Sequence, residues 1–240
     1  MVQHIGIVGC SAEGAALCYR TICLEGAQWL GRHAHPEVSM HTHSLAEDVA
    51  CLDRGDIHGV GELMLESAFK LAQVGADFVI CPDNTIHQAM GFVAKRSPLP
   101  WLHIADVVAD EAARRGLRRL ALTGTRWLVD SEVYPEKLDA RGIASVRPTP
   151  AERNEMNRII MDELVEGVVR AESVGYFQQL IARMQREEAC DAVVLGCTEI
   201  PLIINDANAA LPTLDSTRLL ARAALRRAVG AERGTGAGGG

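Results

Sequence analysis

Two nine-residue stretches of this chain repeat one another, and this repeat constrains the fold more than any other feature. Residues 77–85 (DFVICPDNT) and residues 191–199 (DAVVLGCTE) align without a gap at an offset of 114 residues. The alignment places Asp83 opposite Cys197. Each stretch is a short apolar run that ends in a polar turn, which is typical of a buried strand followed by a site at its carboxyl end.

A second pair of turns keeps nearly the same spacing. Gly9 ends the run IGIVG, and Gly124 ends the run LALTG, at an offset of 115 residues. Two elements that repeat at one spacing indicate a duplicated α/β unit. Two such halves facing each other would place Asp83 and Cys197 on opposite sides of one cleft. That geometry suits the transfer of a proton from one face of a carbon to the other.

Composition excludes several classes of function. The chain has 240 residues, 48% of them hydrophobic but only 4% aromatic, and a net charge of −7. This balance argues against a nucleic-acid partner. No apolar run reaches the ~18 residues of a membrane span, and the N-terminus lacks a signal-peptide layout. Seven cysteines without a C-x-x-C pair predict reduced thiols in a cytoplasmic protein rather than disulfides or a zinc site.

Apolar runs alternate with helical stretches, which predicts an α/β fold of two pseudo-symmetric lobes, each with a parallel sheet flanked by helices. The predicted strands are residues 5–9, 38–43, 78–81, 101–104, 119–122, 145–147, 192–195 and 212–214. The predicted helices are residues 13–30, 59–75, 86–95, 105–115, 134–141, 151–169, 176–187 and 217–229. We assign residues 1–100 and 213–230 to the first lobe, 101–212 to the second, and the glycine-rich 231–240 to a disordered tail.

Cys197 is the strongest candidate for chemistry. It follows an apolar strand within Gly-Cys-Thr-Glu, and we expect the turn to lead into a helix whose amides and dipole favour a thiolate. A free cysteine is more often an inert core residue. The polar turn around Cys197 argues for function, whereas Cys81, two residues before Asp83, fits a core strand.

The turn Asp83-Asn84-Thr85 occupies the equivalent place in the first half. Asn84 and Thr85 supply donors for a carboxylate. The alternative is ordinary capping chemistry, because Asp and Asn are common where a strand leads into a helix.

Two further turns offer polar groups without a specific motif. The turn that holds Cys10 and Ser11 lacks the spacing of a phosphate-binding loop. His41 and His43 lie on one face at the end of the second strand. The two rings could form a metal pair, but because a clear third ligand is missing we favour polar lining of the site or helix-end contacts, and we assign His43 to substrate binding.

These motifs resemble the aspartate/glutamate racemases that work without pyridoxal phosphate. The resemblance rests on Gly9-Cys-Ser-Ala-Glu13, Asn84-Thr85-Ile-His87, Leu102-His-Ile-Ala-Asp106, Gly124-Thr125-Arg126 and Gly196-Cys-Thr-Glu-Ile200, in the family's order over most of residues 4–228. The family usually has cysteine, sometimes threonine, immediately before the Asn-Thr pair. Here that position is Asp83, in agreement with the internal repeat.

The resemblance implies a two-lobed enzyme with no cofactor, often a homodimer, that acts on a small amino acid, which we expect to be acidic. One acid-base residue comes from each lobe, here Asp83 and Cys197. The Asn-Thr and Cys-Thr turns would hold the α-carboxylate. The candidate substrate-binding residues are Cys10, Ser11, His43, Asn84, Thr85, Thr125, Thr198 and Glu199.

Three functions remain open from the sequence. The favoured one is a racemase or epimerase that moves the α-proton between Asp83 and Cys197. The second is a decarboxylase or cis–trans isomerase of a small dicarboxylic acid that uses Cys197 alone. The third is a non-catalytic amino-acid-binding protein, which has no need of a thiol in the site.

Overall fold

The computed structural model of the chain describes residues 1–231. The tail expected at 231–240 lies outside this range apart from its first residue. Within residues 1–231, no helix is long and apolar enough to cross a membrane.

Four strands of the first half form one parallel sheet in the order β2-β1-β3-β4. Their bounds are Ile5–Gly9 (β1), Val38–Thr42 (β2), Phe78–Ile80 (β3) and Trp101–Leu102 (β4). Every residue of the two central strands, β1 and β3, is buried. This burial explains why both strands read as continuous apolar runs rather than as an alternating pattern.

Four strands of the second half form a parallel sheet of the same design, in the order β6-β5-β7-β8. Their bounds are Arg119–Thr123 (β5), Ala144–Val146 (β6), Ala192–Leu195 (β7) and Thr213–Asp215 (β8). In both sheets the first strand of the half lies between the second and the third. The predicted α/β fold with two parallel sheets is therefore confirmed.

The strand pairing reproduces the sequence repeat residue by residue. Gly6 pairs with Val79 in the first sheet, and Ala121 pairs with Val193 in the second. These partners are related by the offsets of 115 and 114 residues read from the sequence. The two halves thus share strand order and register.

The two aspartates that open the repeat perform the same local task. Asp77 accepts the backbone N–H of His4 at 2.6 Å, and Asp191 accepts those of Arg118 and Arg119 at 2.6 and 3.1 Å. Each carboxylate therefore joins the start of the third strand of its half to the start of the first strand. Because each acceptor is charged, these hydrogen bonds belong to the stronger kind.

Helices connect the strands. Their bounds are Ala12–Leu30 (α1), Leu45–Asp53 (α2), Ile57–Gln73 (α3), Met90–Val93 (α4), Ile104–Arg114 (α5), Arg126–Val129 (α6), Pro135–Asp139 (α7), Pro150–Ile159 (α8), Ala171–Glu188 (α9) and Ser216–Ala228 (α10). Short 3₁₀ turns cover Thr85–Ala89 and Ile200–Leu202, and a π turn covers Ile160–Leu164.

The sequence interpretation missed α2, although its start carries a recognisable signal. Ser44 and Glu47 have the spacing of a capping box, and the Ser44 N–H donates to the Glu47 carboxylate at 3.3 Å. The short helix α6 was missed as well.

Two predicted helices are shorter than expected. The helix expected at residues 86–95 begins as the 3₁₀ turn Thr85–Ala89. In an α-helix the Asp83 carbonyl would accept the backbone N–H of His87. Here it accepts the ring Nδ1 of His87 instead, at 2.6 Å. The helix expected at residues 151–169 ends in the π turn. That turn contains Glu163, whose buried carboxylate accepts from Ser173 and Arg158 at 2.5 and 2.8 Å.

The chain divides into two compact units. The first contains Met1–Pro82, Ala89–His103 and the described residues from Thr217 onward, and the second contains Asp83–Gln88 and Ile104–Ser216. The sequence interpretation had placed the six residues that begin with Asp83 in the first lobe. In the structure they pack with the second unit, which also contains Cys197.

Candidate active site

Cys197 is held at the end of β7 by a close approach of two strands. The N–H of Gly196 donates to the Thr123 carbonyl at 2.9 Å. A Cβ at residue 196 would lie 2.5 Å from that oxygen, so only glycine fits. The glycine before Cys197 therefore allows the ends of β5 and β7 to meet and places the thiol in a buried position.

The Cys197 thiol donates a hydrogen bond to Oε2 of Glu199 at 2.8 Å. Burial raises the pKa of Cys197 well above its ordinary value, and the charge of Glu199 and its hydrogen bond raise it further. The backbone N–H of Glu199 acts in the opposite direction but does not prevail. Cys197 is thus a protonated thiol at neutral pH.

The expectation of a Cys197 thiolate was wrong. The turn after β7 leads only into the three-residue 3₁₀ turn Ile200–Leu202, which is too short to supply the dipole of a full helix. Burial and a neighbouring carboxylate oppose ionisation instead, and neither could be read from the sequence motif.

Thr198 and Glu199 are linked to each other as well as to Cys197. The Thr198 hydroxyl donates to Glu199 Oε2 at 2.7 Å, and both side chains are buried. One carboxylate oxygen therefore accepts from the thiol and from the neighbouring hydroxyl. This arrangement makes Glu199 the hydrogen-bond partner of Cys197, a role that the sequence did not suggest.

Asp83 follows β3 and caps the next turn. Its Oδ1 accepts the N–H of Ile86 at 3.1 Å, which is the capping contact considered from the sequence. Its carbonyl accepts a 2.6 Å hydrogen bond from Nδ1 of His87, whose Nε2 in turn accepts the N–H of Ile104 at 3.3 Å. The buried His87 ring is therefore neutral with its proton on Nδ1, and it ties the Asp83 turn to the start of α5.

Asn84 is buried and its amide is engaged at both ends. Oδ1 accepts the hydroxyl of Tyr134 at 2.6 Å, and Nδ2 donates to the Ser216 hydroxyl at 3.0 Å. The sequence interpretation assigned Asn84 to substrate binding and did not identify Tyr134. No local pattern could have done so, because Tyr134 lies 50 residues away in the chain.

Thr85 and Thr125 are brought together as a pair of buried hydroxyls. Their Oγ1 atoms are 2.9 Å apart, and Oγ1 of Thr125 also accepts the N–H of Leu128 at 3.3 Å. The turns after β3 and β5 are therefore joined directly.

Asp83 and Cys197 lie in the same compact unit. After burial and the effects of Glu199, the negative charge of Asp83 is a smaller cause of the raised pKa of Cys197.

The remaining candidates lie in the first compact unit. Cys10 is buried directly after β1, and the Ser11 hydroxyl caps α1 by accepting the N–H of Gly14 at 3.2 Å. His43 stacks edge-to-face on His41 with ring centroids 4.9 Å apart, and its Nε2 lies 3.7 Å from Glu66. Among residues 1–231 no group of three or more His, Cys, Asp or Glu side chains could hold a metal ion.

A protein-family model covers nearly all of the elements described above. The model of the Asp/Glu/hydantoin racemases matches residues 7–224. The chain belongs to this family. Its strand-end turns, including those of Asp83 and Cys197, all fall within the matched range, and the resemblance read from the motifs is confirmed.

Named relatives support the same assignment. The broad specificity amino-acid racemase RacX of Bacillus subtilis is 21% identical over 161 residues, which are 66% of this chain and 68% of RacX. A proposed Asp/Glu racemase from Yersinia pestis has a solved structure with a TM-score of 0.86 and 28% identity, over 95% of this chain and 99% of that one. An aspartate racemase homologue from Pyrococcus horikoshii matches with a TM-score of 0.81 and 27% identity, over the same shares.

The predicted enzyme class, an amino-acid racemase within the isomerases, is confirmed by the family and by these relatives. This result favours the first of the three functions considered from the sequence.

Proposed function

We propose that this enzyme is a cofactor-independent racemase or epimerase of a small, acidic amino acid, in which Asp83 and Cys197 exchange protons with the two faces of the α-carbon. The observation that carries the proposal is that the two residues follow equivalent strands of the duplicated fold and lie in the same compact unit. The names of the relatives, which include a broad specificity amino-acid racemase and an aspartate racemase homologue, support this class of substrate.

The raised pKa of Cys197 supports one order for the proposed steps. Because the resting thiol holds its proton, Cys197 acts as the acid in the proposed first step and Asp83 acts as the base. The Asp83 carboxylate removes the α-proton from one face, and the Cys197 thiol delivers its proton to the other. The enzyme then holds a protonated Asp83 and a Cys197 thiolate, which is the form that accepts the opposite enantiomer.

Glu199 makes that thiolate a strong base. A buried thiolate beside the Glu199 carboxylate is destabilised, since both burial and the negative charge favour the protonated sulfur. In the reverse step, proton abstraction by Cys197, the raised pKa of the thiol therefore narrows the unfavourable pKa difference between the sulfur and the α-carbon. The developing negative charge on the substrate requires donors, and the hydroxyls of the Thr85–Thr125 pair are candidates for this role.

The proposal is tested with single-enantiomer amino acids in heavy water, monitored by NMR for α-deuteration and by chiral chromatography for inversion. We expect the wild-type enzyme to do both with aspartate or glutamate. Asp83→Asn should abolish inversion, because the amide keeps the shape and can still cap Ile86 but cannot shuttle a proton. Exchange through Cys197 should survive in part for one enantiomer, and Asp83→Cys should restore inversion.

Asp139→Asn, an exposed change at the end of α7, is the matched control and should leave both reactions unchanged. Unchanged inversion in Asp83→Asn would refute the two-base assignment. The role of Asp83 would then be to cap the turn by accepting the N–H of Ile86.

The oligomeric state and the cellular location belong to the same proposal. We propose a cytoplasmic homodimer, on the basis of the family resemblance and of seven free cysteines. Light scattering of the purified enzyme under reducing conditions measures the oligomeric state directly, and a monomer at assay concentration would exclude the dimer.

A further inference from the structure

Tyr134 is a buried tyrosine whose hydroxyl meets the Asp83 turn. It directly precedes α7 and is 1% exposed. Burial is the main reason that the pKa of Tyr134 lies far above its ordinary value; a hydrogen bond with Ser216 acts in the opposite direction, and the Asp215 charge raises the pKa further. The hydroxyl therefore keeps its proton and donates to Oδ1 of Asn84 at 2.6 Å.

The hydrogen bond from Tyr134 begins a chain of three that all run in one direction. The Asn84 amide donates to the Ser216 hydroxyl at 3.0 Å, and that hydroxyl donates to the Leu195 carbonyl at 2.8 Å. The chain runs from Tyr134 through Asn84, the residue next to Asp83, to Leu195, the last residue of β7 and two positions before Cys197. Hydrogen bonds in such a chain strengthen one another.

The roles of Ser216 and Asn84 in this chain follow from their partners. The Ser216 hydrogen is committed to Leu195, so Ser216 can offer Asn84 only a lone pair and must face the Nδ2 group. The other end of the amide, Oδ1, then requires a donor. Tyr134 is that donor, and its hydroxyl therefore selects one of the two orientations of the Asn84 amide.

We propose that Tyr134 is a positioning residue for the acid-base pair: through Asn84 and Ser216 its hydroxyl keeps the Asp83 turn aligned with the Cys197 end of β7. The expected effect of Tyr134 on turnover rests on the proposed function. The expected effect of Tyr134 on the position of Asp83 does not. Tyr134 acts on the spacing of the two acid-base residues.

The variant that tests the inference is Tyr134→Phe, which removes one oxygen and leaves Oδ1 of Asn84 without its donor. Tyr176→Phe is the matched control. Tyr176 lies on α9 of the same unit, and its hydroxyl donates to the Glu152 carbonyl at 3.2 Å. Ser216→Ala interrupts the same chain at its other end and is the second variant if Tyr134→Phe does not fold.

The first readout is independent of turnover. The rate of Cys197 alkylation by iodoacetamide is followed against pH, with peptide mapping to separate it from the other cysteines. Since Asp83 is one of the groups that raise the pKa of Cys197, Asp83→Asn lowers it. If Tyr134 holds Asp83 in place, Tyr134→Phe shifts the alkylation profile in the same direction, and adding Tyr134→Phe to Asp83→Asn gives little further shift.

The second readout is kinetic. A displaced acid-base group mainly affects the chemical step, so we expect Tyr134→Phe to lower kcat by about 10- to 100-fold while KM changes by less than about threefold. Tyr176→Phe should change neither kcat nor the alkylation profile.

An alkylation profile of folded Tyr134→Phe identical to that of the wild type would overturn the inference, as would a loss confined to KM. The two proposals fail separately. An enzyme that inverts no amino acid defeats the proposed function, yet the alkylation profiles of Tyr134→Phe, Asp83→Asn and Tyr176→Phe still decide the role of Tyr134.

Discussion

The thiol of Cys197 and the carboxylate of Glu199 share one hydrogen bond, 2.8 Å long, in a place where both side chains are buried. The bond stabilises the protonated sulfur at the expense of the thiolate, so Glu199 adds to the effect of burial on the pKa of Cys197.

Glu199→Gln should lower the pKa of Cys197. The amide has nearly the same shape but no charge, and it removes the second largest cause of the shift after burial. The pH profile of Cys197 alkylation should move to lower pH. Glu187→Gln, an exposed change on α9, provides the control and should leave the profile in place. A profile in Glu199→Gln that stays at its wild-type position would show that burial alone controls the thiol.

Alkaline stability should depend on Cys197. A group whose pKa is raised in the folded state stabilises it fully below the pKa of the unfolded chain, about 8.5 for cysteine, and this contribution is lost as the pH rises above that value. Burial raises the pKa of Cys197, so the wild-type free energy of unfolding should fall more steeply above pH ~8.5 than that of Cys197→Ser, by up to about 1.4 kcal/mol per pH unit.

Urea unfolding in the presence of a reductant at several alkaline pH values measures this difference. Parallel stability curves for the wild type and Cys197→Ser would mean that the thiol ionises as easily in the folded protein as in the unfolded chain.

Cys197→Ala should remove inversion and leave the fold intact. Loss of a positioned acid-base group typically costs at least about 100-fold in rate, whereas the small side chain contributes little to the core. Cys81→Ala and Cys190→Ala are the matched controls. Both thiols are buried, and neither cysteine lies in a Gly-Cys-Thr-Glu motif. Circular dichroism checks the fold. If Cys197→Ala stayed active and Cys81→Ala were inactive, Cys81 rather than Cys197 would be the acid-base residue.

Gly196→Ala should destabilise the protein by about 1–3 kcal/mol, the usual cost of forcing an extra methyl group into a packed site. The new Cβ would lie 2.5 Å from the Thr123 carbonyl oxygen and 2.7 Å from Leu128. Gly175→Ala on α9 is the opposite case, since no atom lies within 4 Å of the Cβ that this change adds. Because alanine favours a helix more than glycine does, this change should stabilise the protein by about 0.5–1 kcal/mol. Urea unfolding of both variants checks the contrast, and equal stabilities would contradict it.

The sequence predicted the parts of the fold that depend on local pattern. The apolar runs gave the strands, and the repeat at 114–115 residues gave the shared register of both sheets. Helix boundaries were less accurate where side chains replaced backbone hydrogen bonds, as His87 does at the Asp83 carbonyl.

The sequence could not predict contacts between residues far apart in the chain. Asn84 and Ser216 are separated by 132 positions, and Tyr134 has no flanking motif that marks its role. The same reason explains the error about the Cys197 thiolate. A dipole argument uses neighbours in the sequence, whereas the ionisation of Cys197 follows from burial, and burial is a property of the folded chain.

Asp83 and Cys197 follow equivalent strands but differ in chemistry, and thermodynamics limits how this difference can affect catalysis. Two enantiomers of a free amino acid have equal free energies, so the equilibrium constant of their interconversion is one. The Haldane relation then requires the same kcat/KM for the L- and D-substrates, however different a carboxyl group and a thiol are as bases. If Asp83 and Cys197 are the acid-base pair that we propose, the chemical difference between them can therefore appear only as paired changes in kcat and KM, and the enantiomer that turns over faster must also have the higher KM.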